Sequence, residues 1–307
     1  MNSVLEASLI AAMMLAAVCI NLPVAKAGDA VPLLWTSPTS ARLNSVFMVN
    51  PTEGWAVGDE GTVIRWNGAS WSNFSSPTTS SLIAVSMVGA SDGWAVGSSG
   101  TVARWNGLQW QTVASPVTKI LRSVFMVGSS DGWAVGQDGT IIRWDGTSWS
   151  SISSPTAEWL YSVYMVNASC GWAVGGHGAI IYWDGTSWSN VTSPISGGAL
   201  DSVFMVSGSD GWAVHNSGDI IRWDGTQWSN VASPTTDPLN SVFMISSNDG
   251  WAVGESGTII RWTGTDWIPE FPISILVPLL ITVTLAAVIL TKTVSCMGGK
   301  HIFRKRK

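Results

Sequence analysis

Cysteine is nearly missing from this chain: Cys19 and Cys296 sit in the terminal segments, and Cys170 alone lies between them. No disulfide can form within the intervening residues, so their stability has to come from packing. Charge is scarce too, at 11% of residues, and between the ends 18 acidic residues stand against 8 basic ones, a net charge of −10. That balance excludes a nucleic-acid partner, because phosphate binding needs clustered lysine and arginine. No pair of carboxylates, nucleophile with a base, or metal-ligand spacing rises above chance, so no catalytic residue, metal site or cofactor is assigned.

Long apolar runs occur only at the two ends. Leu9 to Ile20 is followed by Ala25-Lys26-Ala27, a small-x-small pattern that predicts a signal peptide over residues 1–27, cleaved before Gly28. Ile273 to Leu290 carries no charge and is long enough to span a bilayer as one helix. Lys292, Lys300, Arg304, Lys305, Arg306 and Lys307 follow it, so residues 291–307 are expected in the cytoplasm and residues 28–267 outside. Three sequons, at Asn73, Asn167 and Asn190, are candidate glycosylation sites in an exported chain.

Tryptophan is what the chain has in excess. Six copies of GWAVG or GWAVH, led by Trp55, Trp94, Trp133, Trp172, Trp212 and Trp251, recur every 39 or 40 residues. In the third copy, SVFMV, DGWAVG, GTIIRWDG and TSWSSISSP form four β runs separated by Gly-containing turns, with Pro155 closing the unit. Such a unit cannot bury both faces alone, which predicts an all-β, six-bladed β-propeller of four-stranded blades plus one C-terminal transmembrane helix. The RW[DNT]GxxW element adds two tryptophans per copy, with Tyr182-Trp183 and Trp188 in the variant fourth; only Trp35 and Trp159 lie outside these positions. Repeated tryptophans are assigned to the core, since an exposed ring in every blade would invite aggregation. Arg65, Arg104, Arg143, Arg222 and Arg261 each hold the same repeat position and are expected to serve tryptophan faces or neighbouring carbonyls. Leu33-Leu34-Trp35-Thr-Ser-Pro-Thr aligns with the end of the fifth copy, so an N-terminal strand is expected to complete the sixth blade; the alternative is that Trp267 to Glu270 supplies that strand.

The segment SSDGWAVGQDGTIIRWDGTSWS, residues 129–150, resembles the repeat of the photosystem II assembly and stability factor family, and DGTSW is similar to the shortened Asp-box of sialidase-type propellers. The resemblance covers nearly all of residues 32–267 and implies a propeller. Members of that family usually have seven blades and an arginine-rich patch, whereas six copies are visible here in an acidic ectodomain. Ile268-Pro-Glu-Phe-Pro272, ahead of the apolar span, is similar to the PEF-CTERM sorting signal of archaeal surface proteins. It implies surface anchoring, either by trimming near Pro269 or by retention of the span.

Function is expected where the repeat breaks. The connections between strands 2 and 3 vary, carrying Asp59, Glu60, Asp138, His177, His215 and Glu255, and Trp159 stands in a loop between blades on the same face. These residues form the candidate ligand rim; His177 and His215 have no third ligand and read as solvated. The leading expectation is a non-enzymatic, cell-surface module that binds protein or glycan. The alternatives are a glycan-active hydrolase or lyase using Asp59, Glu60, Asp138 or Glu255, and a structural envelope component.

Overall fold

A computed structural model describes residues 37–270 as six four-stranded antiparallel sheets, each built from strands consecutive in the chain. The blades cover residues 43–73, 82–112, 121–152, 160–190, 200–231 and 239–269. Strand 1 of each blade packs against strand 1 of the next, so the first strands line the centre and the fourth strands lie outermost. The result is an all-β, six-bladed β-propeller. Among the described residues no helix is long and apolar enough to cross a membrane. The predicted leader, the 273–290 span and the basic tail lie outside the described residues.

Blade 3 shows how the sequence builds the interface. Phe125, Trp133 and Arg143 are paired across strands 1, 2 and 3, and so share one face; Val124, Ala134 and Ile142 form the adjacent row on the other face. The Val124 row packs on Trp94, Val96 and Val102 of blade 2, with Leu121, Met126, Trp144 and Trp149 completing that core. Trp94 meets Trp144 at 4.6 Å and Trp149 edge-on at 5.3 Å. The contact recurs nearly unchanged from Trp55 with Trp105 and Trp110 through to Trp212 with Trp262 and Trp267. Ala134 provides the room, being the small residue opposite an indole.

Polar devices repeat with the same fidelity. Arg143 pairs with Asp131 at 2.9 Å and lies over Trp133 and, in the next blade, Trp183. Blade 4 substitutes both partners together: Tyr182 stands for the arginine and Cys170 for the aspartate, with the hydroxyl 3.8 Å from the thiol. Trp144 Nε1 donates to the Ser129 carbonyl, and each third-strand tryptophan has the corresponding bond. Gly136 admits no side chain, because a Cβ there would collide with the Ile120 carbonyl oxygen.

The sixth blade carries its own fourth strand. Trp262 pairs with Trp267, Arg261 with Ile268 and Ile260 with Pro269, which corrects the expectation that an N-terminal strand completes this blade. A four-residue hairpin brings those residues together at little entropic cost, whereas the N-terminal segment is more than two hundred residues away in sequence. Blades 6 and 1 differ from the other neighbouring pairs. Among the described residues no ring contact joins Trp251 to blade 1, and the first strands of these two blades lack the packing that joins every other neighbouring pair. Phe243 and Ile245 on one side, and Val46 and Met48 on the other, remain exposed.

Two predictions follow from these contacts. Trp133→Ala, which empties a fully buried site, is expected to cost about 3–5 kcal/mol in denaturant unfolding, and Trp251→Ala less than half of that. The second concerns acid. Backbone N–H donation from Ser148, with the hydroxyl and N–H of Thr147, holds the Asp145 carboxyl down at about 2 from an ordinary 3.8, and the Asp224 turn does the same. A depressed carboxylate stabilises the fold above its unfolded value and ceases to as pH falls from about 4 to about 2. Asn67 and Asn106 make the same turn without titrating. Replacing Asp145 and Asp224 by Asn should leave the pH 7 melting temperature nearly unchanged and flatten its fall between pH 4 and pH 2.

Candidate functional site

On one face of the propeller, each connection between strands 2 and 3 is tied to the residue that leads into strand 1. The N–H groups of Asp59, Ser98, Gln137, Gly176, Asn216 and Glu255 donate to the carbonyls of Arg42, Ser81, Ile120, Trp159, Ala199 and Pro238 at 2.8 to 3.0 Å. Most of these connections are tight turns whose middle residue is left-handed: Glu60, Ser99, Asp138, His177 and Ser256 have φ between 52° and 57°. Glu60, Asp138 and His177 therefore hold turn positions with exposed side chains.

One residue further in, the ladder slips. Strands 1 and 2 lose register after the first residue of strand 1, leaving Asn44, Ile83, Arg122, Tyr161, Asp201 and Asn240 without a cross-strand partner. A bulge of this kind re-aims a side chain, and here it does so in every blade. Five residue types occupy these six positions while their neighbours repeat. Arg42, Asn44 and Asp59 from blade 1, Ser81, Ile83 and Ser98 from blade 2, Ile120 and Arg122 from blade 3, and Trp159 from blade 4 line one cavity of about 340 Å³.

Its electrostatics separate it from the rest of the molecule. The five repeat arginines are all paired within their blades, and Lys119 is paired with Asp138, whereas among the described residues neither Arg42 nor Arg122 makes an ion pair. The Arg122 guanidinium lies over Trp159 and Tyr161, 5.5 and 5.3 Å from their ring centroids. Asn44 donates to Asp59 Oδ1 and to the Leu82 carbonyl, which fixes the floor between blades 1 and 2. Burial pushes the Asp201 carboxyl up, against the opposing pull of His215 and Arg122.

Of the residues read from sequence, Asp59 and Trp159 enter this cavity; Glu60, Asp138, His177, His215 and Glu255 are not among its lining. Asp138 faces Lys119 at 3.1 Å in a separate groove on blade 3, lined also by the connections before and after that blade. His177 sits 2.7 Å from Glu158 in solvent. His215 is buried, its ring nitrogens on Ser217 Oγ at 2.6 Å and the Gly197 carbonyl at 3.0 Å. It replaces the usual glycine of GWAVG, and the preceding loop has an extra residue with Gly198 packed against the imidazole; this explains the single 40-residue spacing. Among the described residues no group of three metal-ligating side chains forms. Among the sequons, Asn73 and Asn190 donate their side-chain nitrogens to the carbonyls of Pro38 and Pro155, whereas Asn167 uses only its oxygen, accepting from Ser169.

Sequence reasoning missed Arg42, Arg122 and Tyr161. The signal was present, since they are the variable residues beside the invariant leucine that opens strand 1, but the centre of the ring is not visible in a linear repeat.

The fold is that of a six-bladed β-propeller with a cavity on one face. No protein-family model and no curated protein matches the sequence. Among solved structures, the chain is similar to YCF48 bound to D1 peptide, with a TM-score of 0.62 and 18% identity over 76% of this chain and 81% of that one. It is equally similar to the RRP9 WD40 repeats and to U3-55K, each with a TM-score of 0.63 and 10% identity over 76% of this chain, and over 81% and 82% of theirs. At these identities the likeness establishes the fold.

The raised Asp201 carboxyl yields a test of the mouth's electrostatics. A carboxylate that is harder to ionise folded than unfolded opposes folding at neutral pH, and the penalty disappears as pH falls below its unfolded value near 3.8. Asp201→Asn should therefore raise the melting temperature at pH 7, and the difference should vanish toward pH 3.

Proposed function

We propose that this chain is a non-enzymatic recognition module that takes a segment of another protein at the mouth of its central channel. The observation that carries this reading is the convergence of Arg42, Arg122 and Trp159 from three blades on one cavity, while the other described arginines are each paired within their own blade. Two guanidiniums that make no ion pair among the described residues, beside the single carboxylate of Asp59, favour a ligand with a carboxylate, and the Trp159 ring with Ile83 and Ile120 offers an apolar seat beside it. The peptide complex of a protein with the same fold supports a peptide over other ligand classes. In this reading the blades face outward, carried by the apolar span at residues 273–290. A glycan ligand is less well supported, because eighteen of the twenty tryptophans hold repeat positions and fifteen of them form the interfaces between blades.

The test is binding of the full chain, in detergent, to an array of peptides from extracellular proteins. Saturable binding is expected, weakened about tenfold or more by Arg42→Gln and by Trp159→Ala, as for central interface residues. Lys119→Ala, in the separate groove, should bind like the wild type. Equal affinity for all four proteins would remove the mouth as the site, and binding confined to polysaccharide with the same mutational pattern would replace the peptide by a glycan.

A further inference from the structure

Two of the bulged residues at the mouth carry opposite charges. Arg122 stands in blade 3 and Asp201 in blade 5, with Tyr161 of blade 4 between them. The first strands line the centre, so a residue released from pairing there stands over the opening that the blades share. The positive charge of Arg122 acts on the Asp201 carboxyl across the width of blade 4, which places both groups at that opening. Asp201 is not among the lining of the cavity that holds Arg42 and Arg122; it stands one blade beyond Tyr161.

Neither charge is satisfied by the other. The Arg122 guanidinium is held over Trp159 and Tyr161, 5.5 and 5.3 Å from their centroids, and makes no ion pair with Asp201. His215 is not free to turn toward the carboxylate, because its ring nitrogens are engaged by Ser217 Oγ at 2.6 Å and the Gly197 carbonyl at 3.0 Å. Among the described residues, the carboxylates with no hydrogen bond or ion pair are those of Glu60, Asp201, Glu255, Asp266 and Glu270, and all but Asp201 are exposed. A partly desolvated carboxylate without a partner opposes folding, and no group within the described fold offsets that cost. Local penalties of this kind collect where a protein binds or reacts.

We propose that the segment bound at the mouth carries a basic side chain as well as an acidic one, the acid lying toward Arg42 and Arg122 and the base on Asp201. This rests on the mouth being the peptide site. Charge complementarity selects the occupant: a purely basic segment would meet the two guanidiniums, and a purely acidic one would leave Asp201 unpaired and add repulsion to it. Lysine or arginine has an apolar stem that can lie along Tyr161 while its charge reaches the carboxylate. The same pair of signs fixes which part of the segment lies over blades 1 to 3, since the opposite placement would set like charges together.

The test uses the full chain in detergent and two pools of synthetic peptides. Each peptide of the first pool carries one Glu and one Lys, with every spacing represented; in the second pool each Lys is replaced by Gln. The first pool is expected to bind about fivefold or more tighter than the second. That preference should disappear in Asp201→Asn, return in Asp201→Glu, and persist in Arg42→Gln, which weakens both pools. Asp201→Asn is expected to melt no lower than the wild type, so its loss of preference is not a loss of fold. Equal affinity of the wild type for the two pools would overturn the inference, as would a preference that survives Asp201→Asn, which is the behaviour of general attraction to an acidic surface. If Arg42→Gln still weakens binding in either case, the mouth remains the peptide site and only its charge preference is lost. If Arg42→Gln changes nothing, or neither pool binds, the reading of the mouth falls together with the inference.

Discussion

The contact of one tryptophan with two tryptophans of the next blade is the interaction on which the rest of this structure depends. It combines a large apolar area with edge-to-face geometry, and it leaves the strand-2 and strand-4 indole N–H groups buried without an oxygen or nitrogen partner. An indole edge laid against a π-face is the polar interaction left to them. Everything near this contact is constrained by it: alanine opposite the ring, glycine where strand 2 meets the preceding loop, and arginine lying over two indoles at once. In place of disulfides, the chain repeats one well-packed interface five times.

That economy explains why function is confined to small regions. A residue whose position recurs in every blade faces the same surroundings six times and is selected for packing. Only the bulged second residue of strand 1 and the residue before the invariant leucine escape, because they face the central opening instead of another blade. Arg42, Arg122, Tyr161 and Trp159 stand at these positions, and their differences make one side of the mouth basic and aromatic in an otherwise acidic molecule.

Much of this was legible in the sequence. Four runs per copy became four strands, the repeated tryptophans became the interfaces, and the repeat arginines became their lids, with a carboxylate in place of the expected carbonyl. The rim was less legible. Glu60, Asp138 and His177 vary because a left-handed turn position tolerates several polar residues, not because they converge. His215 drew notice as a histidine, but its meaning lay in the extra loop residue that makes room for it. For the fourth strand of the last blade the sequence offered two sources, and the nearer one, Trp267–Pro269, pairs with its own hairpin partner because a short loop closes at little entropic cost.

The account divides the molecule into repeat positions that build and mouth positions that recognise. The most direct test is thermal unfolding of the full chain, with and without a pool of extracellular peptides, for the wild type and for a variant with Arg42, Arg122 and Trp159 all changed to Ser. The account predicts the same ligand-free melting temperature within a few degrees for both proteins, and a rise with peptide for the wild type alone. A variant that unfolds far earlier without ligand, or that is stabilised by the pool as much as the wild type, would contradict it.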